Sequence, residues 1–290
     1  MKIGFIGTGV MGGAIAEHLL DAGNTLTVYN RTKSKTDKLV AKGATWASNP
    51  KAVAEQSDVI FSMVGYPQDV ETIYFDDDGI FAGVKPGSIV VDMTTSTPTL
   101  AKRIAEAAPA HHVTALDAPV SGGDIGAQNA TLTIMVGGDQ ATFDKVLPLF
   151  NQVGKSVHRF GEAGAGQHAK MANQIMIAGT MTGLTEMLVY AKAAGLNLPD
   201  VLATLSAGGA DNWSMDTYVP RIFKHDYTPG FFAKHFLKDL RIALDEADKM
   251  HLNLPATDAA KQLYEQLVDD QHLGNDGTQA LVKLWWGEEA

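Results

Sequence analysis

The strongest restriction on the fold lies at the start of the chain. There an apolar strand pattern, Lys2–Ile6, runs through Gly7-Thr8-Gly9-Val10-Met11-Gly12 into an amphipathic helical pattern, Met11–Ala22. Glycines spaced G-x-G-x-x-G between a strand and a helix have separate duties. The first permits a tight turn, the second lets main-chain N–H groups approach a ligand, and the third lets helix and strand pack closely. The first N–H groups of a helix have no partners within it and point at bound anions. The pattern predicts a pyrophosphate-binding loop on a parallel sheet, with Gly7, Thr8, Gly9, Val10, Met11 and Gly12 as candidate binding residues.

The rest of the first half agrees. Strand patterns recur at Thr25–Tyr29, Val59–Met63, Ser88–Asp92, Thr114–Asp117, Thr133–Val136 and Ser156–Arg159, with helical patterns at Lys33–Lys42, Thr97–Ala108 and Ala141–Phe150. Such alternation predicts a mostly parallel sheet covered on both faces. After Gly161 the strand patterns stop. One long helix is expected from Ala165 to about Ala194, with Gly195 as its C-cap and Pro199 opening the next helix. The expected fold is α/β: an N-terminal Rossmann-like doubly wound sheet, residues 1–162, followed by an all-α C-terminal domain, residues 163–290.

Composition removes several function classes. The chain has 33 acidic and 23 basic residues and a net charge of -10, which argues against nucleic acid as a partner. It has no cysteine, so disulfides, thiolate catalysis and cysteine zinc sites are excluded. The histidines show no metal-ligand spacing, and no metal is expected. The most apolar stretch, near Met171–Ala194, contains Asn173, Gln174 and Glu186, which fits a buried helix better than a membrane span. Glycines at 4, 7, 9, 12 and 13 interrupt any signal-peptide core. A cytoplasmic protein without membrane partners is the expectation.

The end of the second strand reports on the adenosine ribose. An acid there favours NAD, whereas this chain reads Tyr29-Asn30-Arg31-Thr32-Lys33. Arg31 is suited to a 2′-phosphate, with Asn30 and Thr32 as hydrogen-bonding neighbours. NADP is therefore expected as the preferred cofactor, with NAD possible.

Further segments give the sequence a family resemblance. Phe5 through Gly12, Asp92-Met93-Thr94-Thr95-Ser96, Asp117-Ala118-Pro119-Val120-Ser121-Gly122-Gly123, Gly164-Ala165-Gly166 with Lys170 and Asn173, and Pro229-Gly230-Phe231 through Lys238-Asp239-Leu240 occur in this order. Together they resemble the β-hydroxyacid dehydrogenases, a family that includes 3-hydroxyisobutyrate dehydrogenase and tartronate semialdehyde reductase. The resemblance implies that Lys170 is catalytic, that Val64, Gly65, Thr95 and Lys238 touch the cofactor, and that Ser121, Gly122, Gly123, Phe231 and Asp239 touch the substrate. Many members carry Asn-Asn after the lysine; here the pair is Asn173-Gln174, so the orienting role at i+4 falls to a longer amide.

Physical chemistry agrees with these roles. Helical spacing puts Lys170, Asn173 and Gln174 on one face, above Ile177, Met181 and Leu184. A lysine above an apolar stripe can be desolvated, which lowers the pKa of an ammonium and suits it to proton transfer. Ser121 and the N–H groups of Gly122 and Gly123 suit a carboxylate. Trp213 fits either a pocket wall or a core. The expected activity is hydride transfer between NADP(H) or NAD(H) and a small carboxylate-bearing 3-hydroxy acid or its semialdehyde. Two alternatives stand beside it. Imine reductases share this architecture but generally lack the lysine, and a non-catalytic nucleotide-sensing module would not need it. The resemblance also implies association, with the long apolar helix at 165–194 offering a surface for a homodimer or homotetramer.

Overall fold

The computed structural model describes residues 1–287. It contains two compact units, one from Met1 to Lys170 and a second beginning at Met171.

The first unit is built on a nine-stranded sheet. Its strands are β1 (Lys2–Ile6), β2 (Thr25–Tyr29), β3 (Thr45–Trp46), β4 (Val59–Ser62), β5 (Ile89–Asp92), β6 (Thr114–Asp117), β7 (Val120–Ser121), β8 (Leu132–Gly137) and β9 (Gly154–Gly161). The intervening helices are α1 (Val10–Asp21), α2 (Asp37–Ala41), α3 (Pro50–Ala54), α4 (Pro67–Phe75), α5 (Pro98–Ala107), α6 (Gly123–Gln128) and α7 (Gln140–Phe150). Strands β3-β2-β1-β4-β5-β6 are parallel neighbours in that order, the doubly wound arrangement expected. Beyond β6, β8 runs antiparallel to both β6 and β7, and β9 runs parallel to β8.

The period of two along each strand explains why both faces are covered. Ile3 and Phe5 of β1, Val59 and Phe61 of β4, and Ile89 and Val91 of β5 join one core with Ile15 and Leu19 of α1. Ile6, Ile60 and Val90 point the other way, into a core with Val53 of α3, Val70 of α4 and Leu100 of α5. Each fully buried side chain of this size contributes about 1.5–3 kcal/mol. Gly4 lets α3 approach, since a Cβ there would lie 2.5 Å from Val53 Cγ1.

Two local features differ from the sequence patterns. The helix expected over Lys33–Lys42 divides into a 3₁₀ turn, Lys33–Thr36, and α2. The Thr36 hydroxyl donates to the Lys33 carbonyl at 2.7 Å, a local bond that competes with helical continuation. Strands β3 and β7 have two residues each, too few to show a period.

Helix α8 (Ala165–Ala193) starts in the first unit and continues into the second, so the compact units divide within a helix that the sequence pattern places wholly after residue 162. Gly195 follows at φ +72°, as a C-cap requires. The second unit adds α9 (Leu198–Leu205), α10 (Trp213–Ile222), α11 (Ala233–Lys249), α12 (Pro255–Glu265) and α13 (Lys283–Trp286). Its core gathers Met181, Leu184 and Leu188 of α8 with Tyr218, Val219, Phe236, Leu240 and Tyr264. Among its described residues the β pairing is confined to an isolated bridge between Phe232 and Gly277. No helix among the described residues is long and apolar enough to cross a membrane.

Candidate active site

The glycine loop has the geometry its spacing demands. Gly7 adopts φ +95°, and a Cβ at Gly12 would collide with the Gly7 carbonyl. Gly9 is the N-cap of α1 and makes no side-chain cap, and no acidic residue occupies the first turn. A Cβ at Gly9 would meet nothing within 4 Å. The main chain there is open, uncapped and at the positive end of a twelve-residue helix, which fits a dinucleotide pyrophosphate.

The neighbouring loop braces this turn. Asn30 Oδ1 accepts the Thr8 N–H at 3.1 Å, and Asn30 Nδ2 donates to the Thr32 carbonyl at 2.9 Å. Thr8 Oγ1 donates to the Lys35 carbonyl at 3.0 Å. Asn30, expected beside the ribose, thus uses both ends of its amide on the protein. The Arg31 side chain is 87% exposed, with its guanidinium 3.3 Å from Asp69 of α4.

Beyond β4 and β5 a second network appears, one that sequence patterns did not indicate. Ser62 Oγ donates to Asp92 Oδ1 at 2.9 Å, and the Thr94 N–H donates to the same oxygen at 3.1 Å. Thr94 Oγ1 accepts the Val64 N–H at 3.0 Å, which ties the Val64-Gly65 loop to the Thr94-Thr95 loop. Burial pushes the Asp92 carboxyl up to about 6, with the Asp117 charge adding to the effect.

Asp117 ends β6 opposite Asp92 in the parallel register. Its Oδ1 accepts the Gly164 N–H at 2.7 Å and its Oδ2 accepts the Gln167 N–H at 2.8 Å. A carboxylate so placed caps α8 and complements its dipole. Burial nonetheless raises its pKa, the hydrogen bonds opposing that rise. Lys170 lies one turn further along α8 and is 6% exposed. Ser121 ends β7; Gly122 follows at φ +131°, a backbone that needs glycine, and Gly123 at φ +64°, in the left-handed region that glycine adopts most readily.

In the second unit four side chains form one polar chain. Asn173 Nδ2 donates to Gln174 Oε1 at 2.7 Å, and Gln174 Nε2 donates to Asp239 Oδ2 at 2.7 Å. Lys238 Nζ lies 3.0 Å from Asp239 Oδ1, an ion pair rather than a directed hydrogen bond. Gln174 and Asp239 are fully buried. Phe231 packs edge-on against Phe236, with ring centroids 5.7 Å apart. Trp213 is 65% exposed and so is no core residue.

A doubly wound sheet with this uncapped glycine turn has the form of a dinucleotide-binding domain. A model of the NAD binding domain of 6-phosphogluconate dehydrogenase matches residues 2–161, and one described as NAD-binding of NADP-dependent 3-hydroxyisobutyrate dehydrogenase matches residues 164–285. The chain belongs to the β-hydroxyacid dehydrogenase family of NAD(P)-dependent enzymes. It is 50% identical over 282 residues to the probable 3-hydroxyisobutyrate dehydrogenase-like 1 of Arabidopsis thaliana, covering 97% of this chain and 84% of the relative. It is 39% identical over 264 residues to the 2-hydroxy-3-oxopropionate reductase of Escherichia coli, covering 91% and 90%. Among solved structures, the 3-hydroxyisobutyrate dehydrogenase of Mycobacterium tuberculosis with L-serine superposes with a TM-score of 0.89 at 26% identity, covering 98% of both chains.

Proposed function

We propose that the chain interconverts a small carboxylate-bearing 3-hydroxy acid and its semialdehyde, with NADP(H) as the preferred cofactor. The observation that carries this reading is Lys170, buried one turn beyond a helix start that Asp117 holds at the end of β6. A bound nicotinamide supplies the hydride acceptor for oxidation and the donor for reduction. Lys170 Nζ takes the hydroxyl proton as the carbonyl forms, and returns it in the reverse direction. The Ser121 hydroxyl and the N–H groups of Gly122 and Gly123 hold the substrate carboxylate, with Phe231 beside it. Thr95, Val64, Gly65 and Lys238 contact the cofactor. Asn173, Gln174 and Asp239 orient polar groups around the reacting carbon. The named activities of the Arabidopsis and Escherichia relatives support this substrate class.

The NADP preference rests on Arg31 and on the absence of an acid at the end of β2. A phosphate offers Arg31 a stronger, forked partner than the half-buried Asp69 carboxylate, which the exposed guanidinium meets through one nitrogen at 3.3 Å. A panel of C2–C5 semialdehydes with NADPH and NADH tests both parts. Turnover with NADPH, lost in Lys170→Ala while cofactor binding persists, is the expected result. Unchanged turnover in Lys170→Ala would refute the proton-transfer role, and a clear NADH preference would refute the cofactor reading.

A second copy of the chain is the proposed macromolecular partner, as a homodimer or homotetramer. The exposed row Met176, Gly179, Gly183, Glu186 and Tyr190 along α8, uncharged but for Glu186, supports this. A monomer by light scattering would contradict it.

A further inference from the structure

Gln167 lies one helical turn before Lys170, yet its side chain bonds main-chain groups outside the helix. Oε1 accepts the Ser96 N–H at 3.0 Å, and Nε2 donates to the Thr94 carbonyl at 2.7 Å. These groups flank Thr95, so the amide pairs with the loop much as a neighbouring strand would. The amide's orientation follows from its partners, because a main-chain N–H only donates and a carbonyl only accepts.

Burial makes the pairing matter. Gln167 is fully buried, and Thr94 and Ser96 are 1% exposed, while Thr95 between them is half-buried. The Ser96 hydroxyl is also buried, with no hydrogen-bond partner among the described residues. On that side of Thr95 the Ser96 main-chain N–H is thus tied to Gln167. The Gln167 main chain is itself held by Asp117.

We propose that Gln167 is a positioning residue that fixes Thr95 for the dinucleotide and locks the Thr94–Ser96 loop to the helical turn before Lys170. This rests on the reading of Thr95 as a cofactor contact. Only a side chain with one donor and one acceptor at the reach of glutamine satisfies both main-chain groups. Methionine has similar length and neither bond. Glutamate as a carboxylate accepts from Ser96 but sets oxygen against the Thr94 carbonyl; once protonated, it donates there as the amide does. Burial raises a carboxyl's pKa, so the introduced acid titrates at accessible pH.

The test is the Kd of the full chain for whichever of NADPH and NADH the wild type binds more tightly, read by nicotinamide fluorescence at about pH 5.5 and about pH 8.5. Asp92 and Asp117 at these strand ends, Lys102 of α5 beside Gly164, and His168, Lys170, Glu186 and Lys192 of α8 are present in wild type and variants alike. The variant-to-wild-type ratio at each pH thus isolates the introduced carboxyl. Gln167→Met is expected to bind about tenfold more weakly at both pH values, as the loss of a buried hydrogen bond predicts. Gln167→Glu is expected to be about tenfold weaker at high pH and within about twofold of wild type at low pH. Wild-type affinity for Gln167→Met, or a Gln167→Glu ratio that does not change with pH, overturns the proposal.

If the buried acid prevents folding, Gln167→Asn replaces it, being one methylene too short to reach both groups. Combined with Thr95→Ala, it is expected to bind no more weakly than Thr95→Ala alone; additive losses refute coupling through Thr95. Wild-type affinity in Thr95→Ala alone instead refutes the reading of Thr95, a result distinguishable from failure of the role of Gln167.

Discussion

Asp117 joins the end of β6 to the start of α8 by accepting the Gln167 N–H at 2.8 Å, while its other oxygen takes the Gly164 N–H at 2.7 Å. Gly137 and Gly166 make room for this, since a Cβ at either position would collide with groups around the carboxylate. Asp117→Asn keeps the shape but sets an NH2 group against one of the two N–H donors. The expected loss is about 1–3 kcal/mol, the cost of leaving a buried donor unpaired. Amide hydrogen exchange at Gly164 and Gln167 should quicken about tenfold or more relative to wild type. Unchanged protection at both amides would show that the helix start is held by something else.

Asp92 gives the fold a pH dependence of definite sign. In the unfolded chain its carboxyl titrates near about 3.9, whereas burial raises it to about 6 in the folded protein. Below the lower value both states hold the proton. As pH rises between the two, the unfolded state ionises first and folding is disfavoured. Above the higher value the penalty is complete, on the order of 3 kcal/mol. Asp92→Asn cannot ionise and retains an acceptor for Ser62 and the Thr94 N–H. Its Tm is therefore expected to rise relative to wild type as pH goes from about 4 to about 7. A difference that stays flat with pH would remove Asp92 from this role.

Much of the architecture could be read from spacing. The strands Lys2–Ile6, Thr25–Tyr29 and Thr114–Asp117 have the limits their apolar patterns suggest, because both faces of a parallel sheet are buried and the runs end where turn residues begin. The uncapped turn at Gly9 was legible for a similar reason, since glycine spacing encodes backbone shape directly. The polar network was not. Gln167 precedes Lys170 by three positions, but nothing in its neighbours shows that it faces the Thr94–Ser96 loop. Asp92 and Asp117 appeared only as strand ends and within family motifs, and their adjacency comes from β5 and β6 pairing across a helix. Contacts that close over long sequence separations carry no local period.

The departure at Gln174 has a structural consequence in the second unit. Its Oε1 takes a bond from Asn173, and its Nε2 gives one to Asp239, with no exposure at either residue above 1% for the buried pair. Gln174→Leu removes the donor and leaves Asp239 Oδ2 desolvated without it. A destabilisation of about 2 kcal/mol is expected by urea unfolding. Placed on Asp239→Leu, the same change should cost much less, because no carboxylate then needs the amide. Equal costs in both backgrounds would show that the Gln174–Asp239 bond contributes nothing to stability.

Gly9 and Gly12 separate binding from folding within one turn. Gly9 has φ −70° and open space around its missing Cβ, so alanine fits without strain. Gly12 has no such space: a Cβ there would collide with the Gly7 carbonyl and lie 3.1 Å from Phe5 Cε1. Gly12→Ala should therefore lower stability by about 1–3 kcal/mol through overpacking, and it should lower Tm accordingly. Gly9→Ala should melt with the wild type, yet bind NADPH and NADH about tenfold more weakly, because its methyl group occupies the path of the pyrophosphate to the N–H groups of α1. Wild-type affinity in Gly9→Ala would mean that the dinucleotide does not approach the main chain at that residue. Unaltered melting in Gly12→Ala would mean that α1 can shift away from Gly7, and that the close helix–strand contact is not what requires the third glycine.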